Sequence, residues 1–106
     1  MRSPRFTADH RRQQIVSTAR NLSKNGALYD WTLEDVAKVI DISEPAVKYY
    51  FSSAQGLRTE IIMEAIKAKD IDIVCQAMAK YDPLISNMPA TLRKRAEKRI
   101  RQPQLF

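Results

Sequence analysis

The chain has 106 residues and a formal net charge of +6, with apolar residues making up 44% of it and only two glycines. A chain of this length makes one domain, and the scarcity of glycine favours helices over a β-sandwich. The single cysteine, Cys75, excludes an internal disulfide, and no apolar run approaches the roughly 20 residues that span a bilayer. The N-terminus lacks the apolar stretch of a signal peptide. These features predict a soluble, cytoplasmic, all-α protein.

The positive charge is concentrated at the two ends. Residues 1–14 carry four arginines against one aspartate, whereas residues 15–80 carry eight basic and nine acidic side chains. Residues 81–106 carry six basic side chains against two acidic ones. Basic ends around a near-neutral body are typical of segments that follow a polyanion, although the charge can also serve solubility alone. The candidate backbone contacts are Arg2, Arg5, Arg11, Arg12, Arg93, Lys94, Arg95, Lys98 and Arg99.

The N-terminal part of the chain predicts an arm followed by two helices. Residues 1–7 form the arm, and residues 8–24 form the first helix, which Gly26 ends in a left-handed position. Thr32 begins the second helix as its N-cap, with Asp35 three residues on, close to a capping box. The apolar periodicity consists of Ile15, Ala19 and Leu22 in the first helix and Leu33, Val36, Ala37 and Ile40 in the second.

A short turn then leads into a third helix. Asp41 lies in the turn, and aspartate tolerates the positive φ that such turns often need. Ser43 is the predicted N-cap of a helix over Glu44–Tyr50, and Ser53 is the predicted N-cap of the next helix.

The remainder of the chain predicts one long helix and one short, basic helix. The apolar pattern continues without a break over residues 54–80, so we expect a single fourth helix there. Pro83 and Pro89 interrupt the chain, and residues 90–100 form a strongly basic last helix before a frayed tail at residues 102–106.

The second and third helices, with three residues between them, have the spacing of a helix-turn-helix unit. The second helix of such a unit lies in the major groove of DNA. Val47 and Phe51 anchor this helix to the core, so the other positions lie outward or on its flanks. Tyrosine hydroxyls and a lysine ammonium suit phosphate oxygens, while small residues allow close approach to base edges. The outward residues are Glu44, Pro45, Ala46, Lys48, Tyr49 and Tyr50.

This arrangement resembles the N-terminal DNA-binding domain of TetR-type transcriptional regulators, over about half the chain. The residues that carry the resemblance are Ile15, Ala19, Gly26, Thr32, Val36, Ala37, Ile42, Ser43, Pro45, Ala46, Val47, Tyr49, Tyr50, Phe51 and Leu57. The resemblance implies a DNA-binding domain over residues 8–56. The predicted DNA-binding residues are Thr32, Leu33, Glu34, Ser43, Glu44, Pro45, Ala46, Lys48, Tyr49 and Tyr50.

The sequence departs from the family pattern at several of these positions. The family usually has glycine at the position of Asp41, tyrosine at that of Lys48 and a phosphate-binding lysine at that of Ala54. Glu34 and Glu44 are acidic residues on a surface that faces phosphates. A carboxylate there either accepts a hydrogen bond from cytosine N4 or rejects other sequences.

TetR-type regulators usually also carry a second helical domain that binds a small effector and forms a dimer. Here residues 57–89 are the predicted core and dimerisation segment, and residues 90–106 are a basic helix and tail. We therefore expect a dimer without a family-sized effector pocket and without a small-molecule effector. A regulator stripped down in this way would suit a phage or plasmid.

No catalytic set is apparent in the sequence. The chain has one histidine, no glycine-rich phosphate loop and no Cys/His cluster with zinc spacing. We therefore predict that it is not an enzyme and that it needs no metal or cofactor.

The leading hypothesis is a sequence-specific regulator that binds an inverted repeat in double-stranded DNA as a homodimer. The alternative is an interaction protein that uses a degenerate helix-turn-helix scaffold to contact RNA polymerase or another protein. A general nucleic-acid-coating or RNA-binding protein would also fit the charge, but it leaves the helix-turn-helix spacing without a role.

Overall fold

The computed structural model describes residues 8–101, which form helices joined by turns and loops. The all-α prediction is confirmed. The predicted arm and tail, at residues 1–7 and 102–106, lie outside the described residues. The elements in chain order are α1 (Ala8–Leu22), α2 (Leu33–Ile40), α3 (Glu44–Tyr50), α4 (Ala54–Ala68), α5 (Ile71–Ala79), a 3-10 helix (Pro83–Asn87) and α6 (Ala90–Arg101). Among the described residues, none of these helices is long and apolar enough to cross a membrane.

One core runs through the first four helices. α1 packs against α2 and α4, and α3 packs against α2. Full burial of a Val, Leu or Ile side chain stabilises a fold by about 1.5–3 kcal/mol, so this cluster fixes how α2 and α3 sit on α1. Its fully buried members include Ile15, Val36, Val47, Leu57 and Ile61.

α1 ends two residues earlier than predicted. Its last residue is Leu22, and the chain turns from Ser23 onward, where the Ser23 side chain donates a hydrogen bond to the Ala19 carbonyl at 2.7 Å. Gly26 has the expected positive φ, 85°, but lies inside this turn rather than directly after the helix.

The prediction of one long helix over residues 54–80 is wrong. The chain breaks at Lys69, whose φ and ψ of 59° and 41° are left-handed, and α5 begins after Asp70. The N–H of Asp70 returns to the Ala65 carbonyl at 2.8 Å, which closes the end of α4. The Asp70 carboxylate accepts from the N–H of Ile73 at 3.4 Å and so caps α5.

The apolar pattern did not reveal this break because both helices bury a face against the same core. Ile61 and Ala65 of α4 and Ile73 and Ala77 of α5 are all buried. An ion pair also links the break to the first helix, since Arg20 of α1 lies 2.8 Å from the Asp70 carboxylate.

α6 is the last helix of the described residues and packs against α5. Leu92 and Ala96 are its buried residues. The helix was predicted over residues 90–100 and is observed over Ala90–Arg101, so that prediction is confirmed. The proline-bounded stretch before it is the 3-10 helix, which the Asp82 carboxylate begins by accepting from the N–H of Leu84 at 3.0 Å.

Candidate nucleic-acid interface

The turn between α2 and α3 has the geometry that the sequence predicts. Asp41 has a φ of 59° and a ψ of 49°, in the left-handed region, and its N–H donates to the Ala37 carbonyl. The N–H of Ile42 donates to the same carbonyl at 3.0 Å. These two hydrogen bonds to one carbonyl close α2 and direct the chain into α3.

α2 begins with a full capping box. The Thr32 hydroxyl accepts from the N–H of Asp35 at 3.2 Å, and the Asp35 carboxylate accepts from the N–H of Thr32 at 2.9 Å. Both donors would otherwise lack a partner inside the helix. The cap therefore fixes where the first helix of the pair starts.

α3 has one anchored side and one open side. Ser43 caps it by accepting from the N–H of Ala46 at 3.2 Å. Val47 is fully buried and Phe51 is 6% exposed, so these two residues hold the helix to the core. Tyr49 is 81% exposed, and its ring meets that of Tyr50 edge-on at 5.1 Å between centroids. An exposed tyrosine of this kind is available to a ligand.

Each helix of the pair carries one glutamate–lysine ion pair. Glu34 lies 3.7 Å from Lys38 on α2, and Glu44 lies 3.4 Å from Lys48 on α3, both at a spacing of four residues. Such pairs are weak at an exposed surface. They nevertheless place a cation beside Glu34 and Glu44, whose negative charges would be repelled by DNA phosphates.

The predicted site residues fall into three groups by exposure. Leu33 is buried in the core, so its side chain is not available to DNA. Half-buried residues are Glu44, Ala46 and Tyr50, and exposed residues are Thr32, Glu34, Ser43, Pro45, Lys48 and Tyr49. Except for Leu33, the structure therefore brings the predicted DNA-binding side chains to the surface of α2, α3 and the turn between them.

Arg12 makes an internal contact. Its guanidinium donates to both carboxylate oxygens of Glu60 on α4, at 3.1 and 3.3 Å, and lies 4.7 Å from the centroid of the Phe51 ring. The hydrogen bond to Glu60 raises the pKa of Arg12 above its usual value, against the effect of partial burial. This cation therefore holds α1 and α4 to the end of α3.

The other candidate backbone contacts are spread over the molecule. Arg11 donates to Gln14 at 2.9 Å, and Arg93 donates to the Ile85 carbonyl at 3.1 Å. Arg2 and Arg5 lie outside the described residues. The remaining candidates, Lys94, Arg95, Lys98 and Arg99, are exposed on α6.

A polar network that the sequence did not predict supports the start of α2. The indole N–H of Trp31, the residue before the Thr32 cap, donates to the Ser23 hydroxyl at 2.7 Å. Gln76 of α5 donates to the Ser23 carbonyl at 2.7 Å and accepts from the N–H of Leu28 at 2.8 Å. The Gln76 side chain thereby fixes the loop that leads into the helix-turn-helix.

Arg58 of α4 completes this support. Its guanidinium donates to the Leu28 carbonyl at 3.0 Å and lies 5.1 and 5.2 Å from the ring centroids of Tyr29 and Trp31. Trp31 was a possible signal, because a buried indole N–H needs a partner. Nothing local in the sequence indicates that the partners come from α4 and α5.

The described residues contain no group of three or more His, Cys, Asp or Glu side chains placed to hold a metal ion.

Known proteins with similar sequences are transcriptional regulators. The chain is 29% identical over 89 residues to the HTH-type transcriptional regulator EthR of Mycolicibacterium smegmatis, covering 84% of this chain and 37% of that protein. It is also 29% identical over 87 residues to EthR of Mycobacterium tuberculosis and of Mycobacterium bovis, covering 82% of this chain and 40% of theirs. No protein-family model matches the chain, and no solved structure matches it significantly.

These relatives confirm the TetR-type resemblance, because EthR is a TetR family member. These relatives are named as HTH-type transcriptional regulators and not as enzymes. The chain spans about two fifths of the length of these relatives.

Proposed function

We propose that the chain is a sequence-specific, DNA-binding, TetR-like transcriptional regulator that places α3 in the major groove. The observation that carries the proposal is the two-sided character of α3. Val47 and Phe51 hold it to the core, while Pro45, Lys48 and Tyr49 are exposed on one short helix. The left-handed turn at Asp41 ends α2, and α3 packs against α2 directly after it, as in a helix-turn-helix.

Within this arrangement the side chains divide between positioning and reading. The Lys48 ammonium and the Tyr49 hydroxyl suit phosphate oxygens, and Thr32 at the start of α2 offers a further hydroxyl. Pro45 and Ala46 let the backbone approach base edges, where the Ala46 methyl suits a thymine methyl.

The two glutamates have a role in choosing the sequence. Glu44 or Glu34 can accept a hydrogen bond from cytosine N4, and the neighbouring Lys48 or Lys38 limits repulsion from phosphates. Where no cytosine is in reach, the carboxylate gains no hydrogen bond from the base and its charge disfavours that site.

We further propose that the protein acts as a dimer on an inverted repeat, with the two α3 helices in successive major grooves about 34 Å apart. Apolar side chains exposed outside the helix-turn-helix support a second interface. Met63 of α4 is 44% exposed, Tyr81 is 87% exposed and Ile100 of α6 is 49% exposed. Tyr81 and Ile100 line one open groove together with Met78.

The proposed regulator works without a family-sized effector pocket in the described residues. Support comes from the shape of its clefts, of which one of about 380 Å³ is bordered by Leu22, Trp31 and Val39 and opens to solvent. Enclosed ligand pockets bury most of a small molecule, and an open cleft does not.

Replacing Lys48 tests the DNA contact. Lys48→Ala removes one phosphate partner, so we expect the slope of log affinity against log salt concentration to become shallower by about 0.9. Lys67→Ala is the matched control because Lys67 is exposed in the last turn of α4, outside the helix-turn-helix. Fluorescence anisotropy with labelled duplex measures both slopes. Equal slopes in wild type and Lys48→Ala would contradict the proposal.

The alternative is an interaction protein that docks on RNA polymerase or another protein through the same scaffold. The observation that favours it is the neutralised surface of the helix pair, where Lys38 and Lys48 are each paired with a glutamate. Ala54, at the start of α4, also lacks the ammonium that the family usually places there. In this case Lys48→Ala would leave DNA affinity unchanged and weaken binding to the protein partner.

A further inference from the structure

The exposed side of α6 carries four cations in one cluster, which we call the α6 basic face. Neighbours three and four residues apart lie side by side on a helix, and these spacings connect all four members into one patch. None of the four has a carboxylate within 4.0 Å among the described side chains. The α6 basic face consists of Lys94, Arg95, Lys98 and Arg99.

Several other cations among the described residues are paired. Arg12 and Arg20 are paired with carboxylates that join helices, and Lys38 and Lys48 are each paired with a glutamate on their own helix. Arg93 is also on α6, but it donates to the Ile85 carbonyl and holds the 3-10 helix. Like charges at these spacings destabilise a helix, so binding of an anion to the α6 basic face would relieve this repulsion.

The α6 basic face is separate from the helix-turn-helix. The main packing contacts form a series in which α3 contacts α2, α2 contacts α1, α1 contacts α4, α4 contacts α5 and α5 contacts α6. α3 and α6 are the two ends of this series in a molecule that measures 51 × 28 × 24 Å. α6 therefore makes its main packing contact with α5 and not with the helix-turn-helix.

We propose that the α6 basic face is a second nucleic-acid-binding surface, which binds the phosphate backbone of duplex DNA without reading its sequence. Three of its cations, Arg95, Lys98 and Arg99, border one open cleft of about 340 Å³ beside Ile71. This cleft is lined by cations and no carboxylate, as backbone binding requires, because neutralising phosphates releases their counterions.

The surroundings of the face favour a duplex over other polyanions. Single-stranded nucleic acid is bound through aromatic side chains that stack on its bases, and this cleft is lined by none. An acidic protein segment would add apolar anchors, but the apolar groove of Met78, Tyr81 and Ile100 includes Glu97, which repels such a segment. The backbone of a duplex needs neither feature.

It follows that one molecule holds two duplex segments, one on α3 and one on α6. This part rests on the proposed function, since it needs α3 to be occupied by DNA. Joining two segments would stabilise a DNA loop, which goes beyond occupancy of a single operator.

A charge-matched pair of variants tests the second surface. The first variant is Arg95→Gln, Lys98→Gln and Arg99→Gln in the full chain. The control is Lys24→Gln, Lys67→Gln and Lys69→Gln, three exposed cations outside the α6 basic face. On duplex of random sequence, we expect the first variant to have a shallower slope of log affinity against log salt by about 2.7, and the control to match wild type. Circular dichroism of each variant confirms its helices.

Capture of a second duplex separates this proposal from the proposed function. Protein is loaded on an immobilised duplex that it binds through α3, and a labelled random duplex is added. Wild type and control should retain the label, whereas the α6 variant should stay on the immobilised duplex and retain about tenfold less label. A Lys48→Ala, Tyr49→Ala variant provides an independent test. It should dissociate from the immobilised duplex, while its salt slope on random duplex should be shallower than that of wild type only by the contacts of these two residues. This result would support the α6 surface.

Two results would overturn the proposal. An unchanged salt slope in the α6 variant would mean that this face takes an acidic protein surface instead. Undiminished capture by the α6 variant would mean that the two helix-turn-helix units of a dimer join the duplexes. If wild type selects no sequence while the difference in slope persists, the proposed function fails and the α6 surface stands.

Discussion

At the scale of single residues, Tyr29 connects the loop before α2 to the 3-10 helix. Its hydroxyl donates to the Asp82 carboxylate at 3.0 Å, and its ring is half-buried beneath Arg58. Burial raises the pKa of Tyr29 above its ordinary value, and the hydrogen bond to Asp82 adds to the rise, while Arg58 opposes it. Ionisation would put a phenolate against a carboxylate, so the neutral form holds this junction together.

The direction of that pKa shift predicts how stability depends on alkaline pH. A pKa raised in the folded state gives a contribution that is present below the unfolded value, near 10, and is lost as pH rises above it. We therefore expect the free energy of unfolding to fall more steeply above about pH 10 in wild type than in Tyr29→Phe. Urea denaturation at each pH measures the two slopes.

Tyr81→Phe is the control for this prediction, because Tyr81 is 87% exposed. The free energy of unfolding of Tyr81→Phe should depend on pH as in wild type, since this variant leaves the contact between Tyr29 and Asp82 in place. Identical slopes in wild type and Tyr29→Phe would show that this contact does not hold the phenol neutral.

Residue-scale features were predictable from the sequence where their partners are local. Thr32 and Ser43 were predicted as caps because a cap is recognised within four residues, and Asp41 was predicted in its turn for the same reason. The partners of Trp31 and Leu28 come from Ser23 and Gln76, and the Gln76 contacts depend on how α5 packs, which no local pattern encodes. The buried position of Leu33 was also predicted, from its place in the apolar period of α2.

At the scale of elements, the break between α4 and α5 is the main departure from the sequence-based expectation. Its left-handed residue is Lys69, where a glycine would have signalled the end of a helix. The capping signal of Asp70 was hidden because the apolar residues on both sides keep the same period. The break shortens α4 and lets α5 fold back, so that Gln76 reaches the loop before α2.

Glycine substitutions distinguish a break from a continuous helix. Lys69→Gly should raise the free energy of unfolding by about 1 kcal/mol, because a left-handed conformation is costly for lysine and free for glycine. Lys67→Gly, inside α4, should lower it by about 1 kcal/mol. Urea denaturation measures both. If residues 54–80 formed one helix, both substitutions would destabilise the protein, and that outcome would contradict the observed break.

At the scale of the whole molecule, the packed helices form a series with α3 at one end and the cationic α6 at the other. The sequence predicted both ends, because the helix-turn-helix spacing and the C-terminal charge are visible in it. It did not predict that α6 packs on α5, which depends on the break that separates α5 from α4. The similarity to EthR regulators covers most of this chain but only about two fifths of theirs.

The central claim is that α3 reads a DNA sequence as part of a symmetric pair. The most direct measurement is selection of bound DNA from a random duplex pool at about physiological salt, where backbone-only binding is suppressed. We expect an inverted repeat whose half-sites are centred about 10 base pairs, or one helical turn, apart. Recovery of sequences with no shared motif, by a protein that is folded and binds the pool, would contradict it.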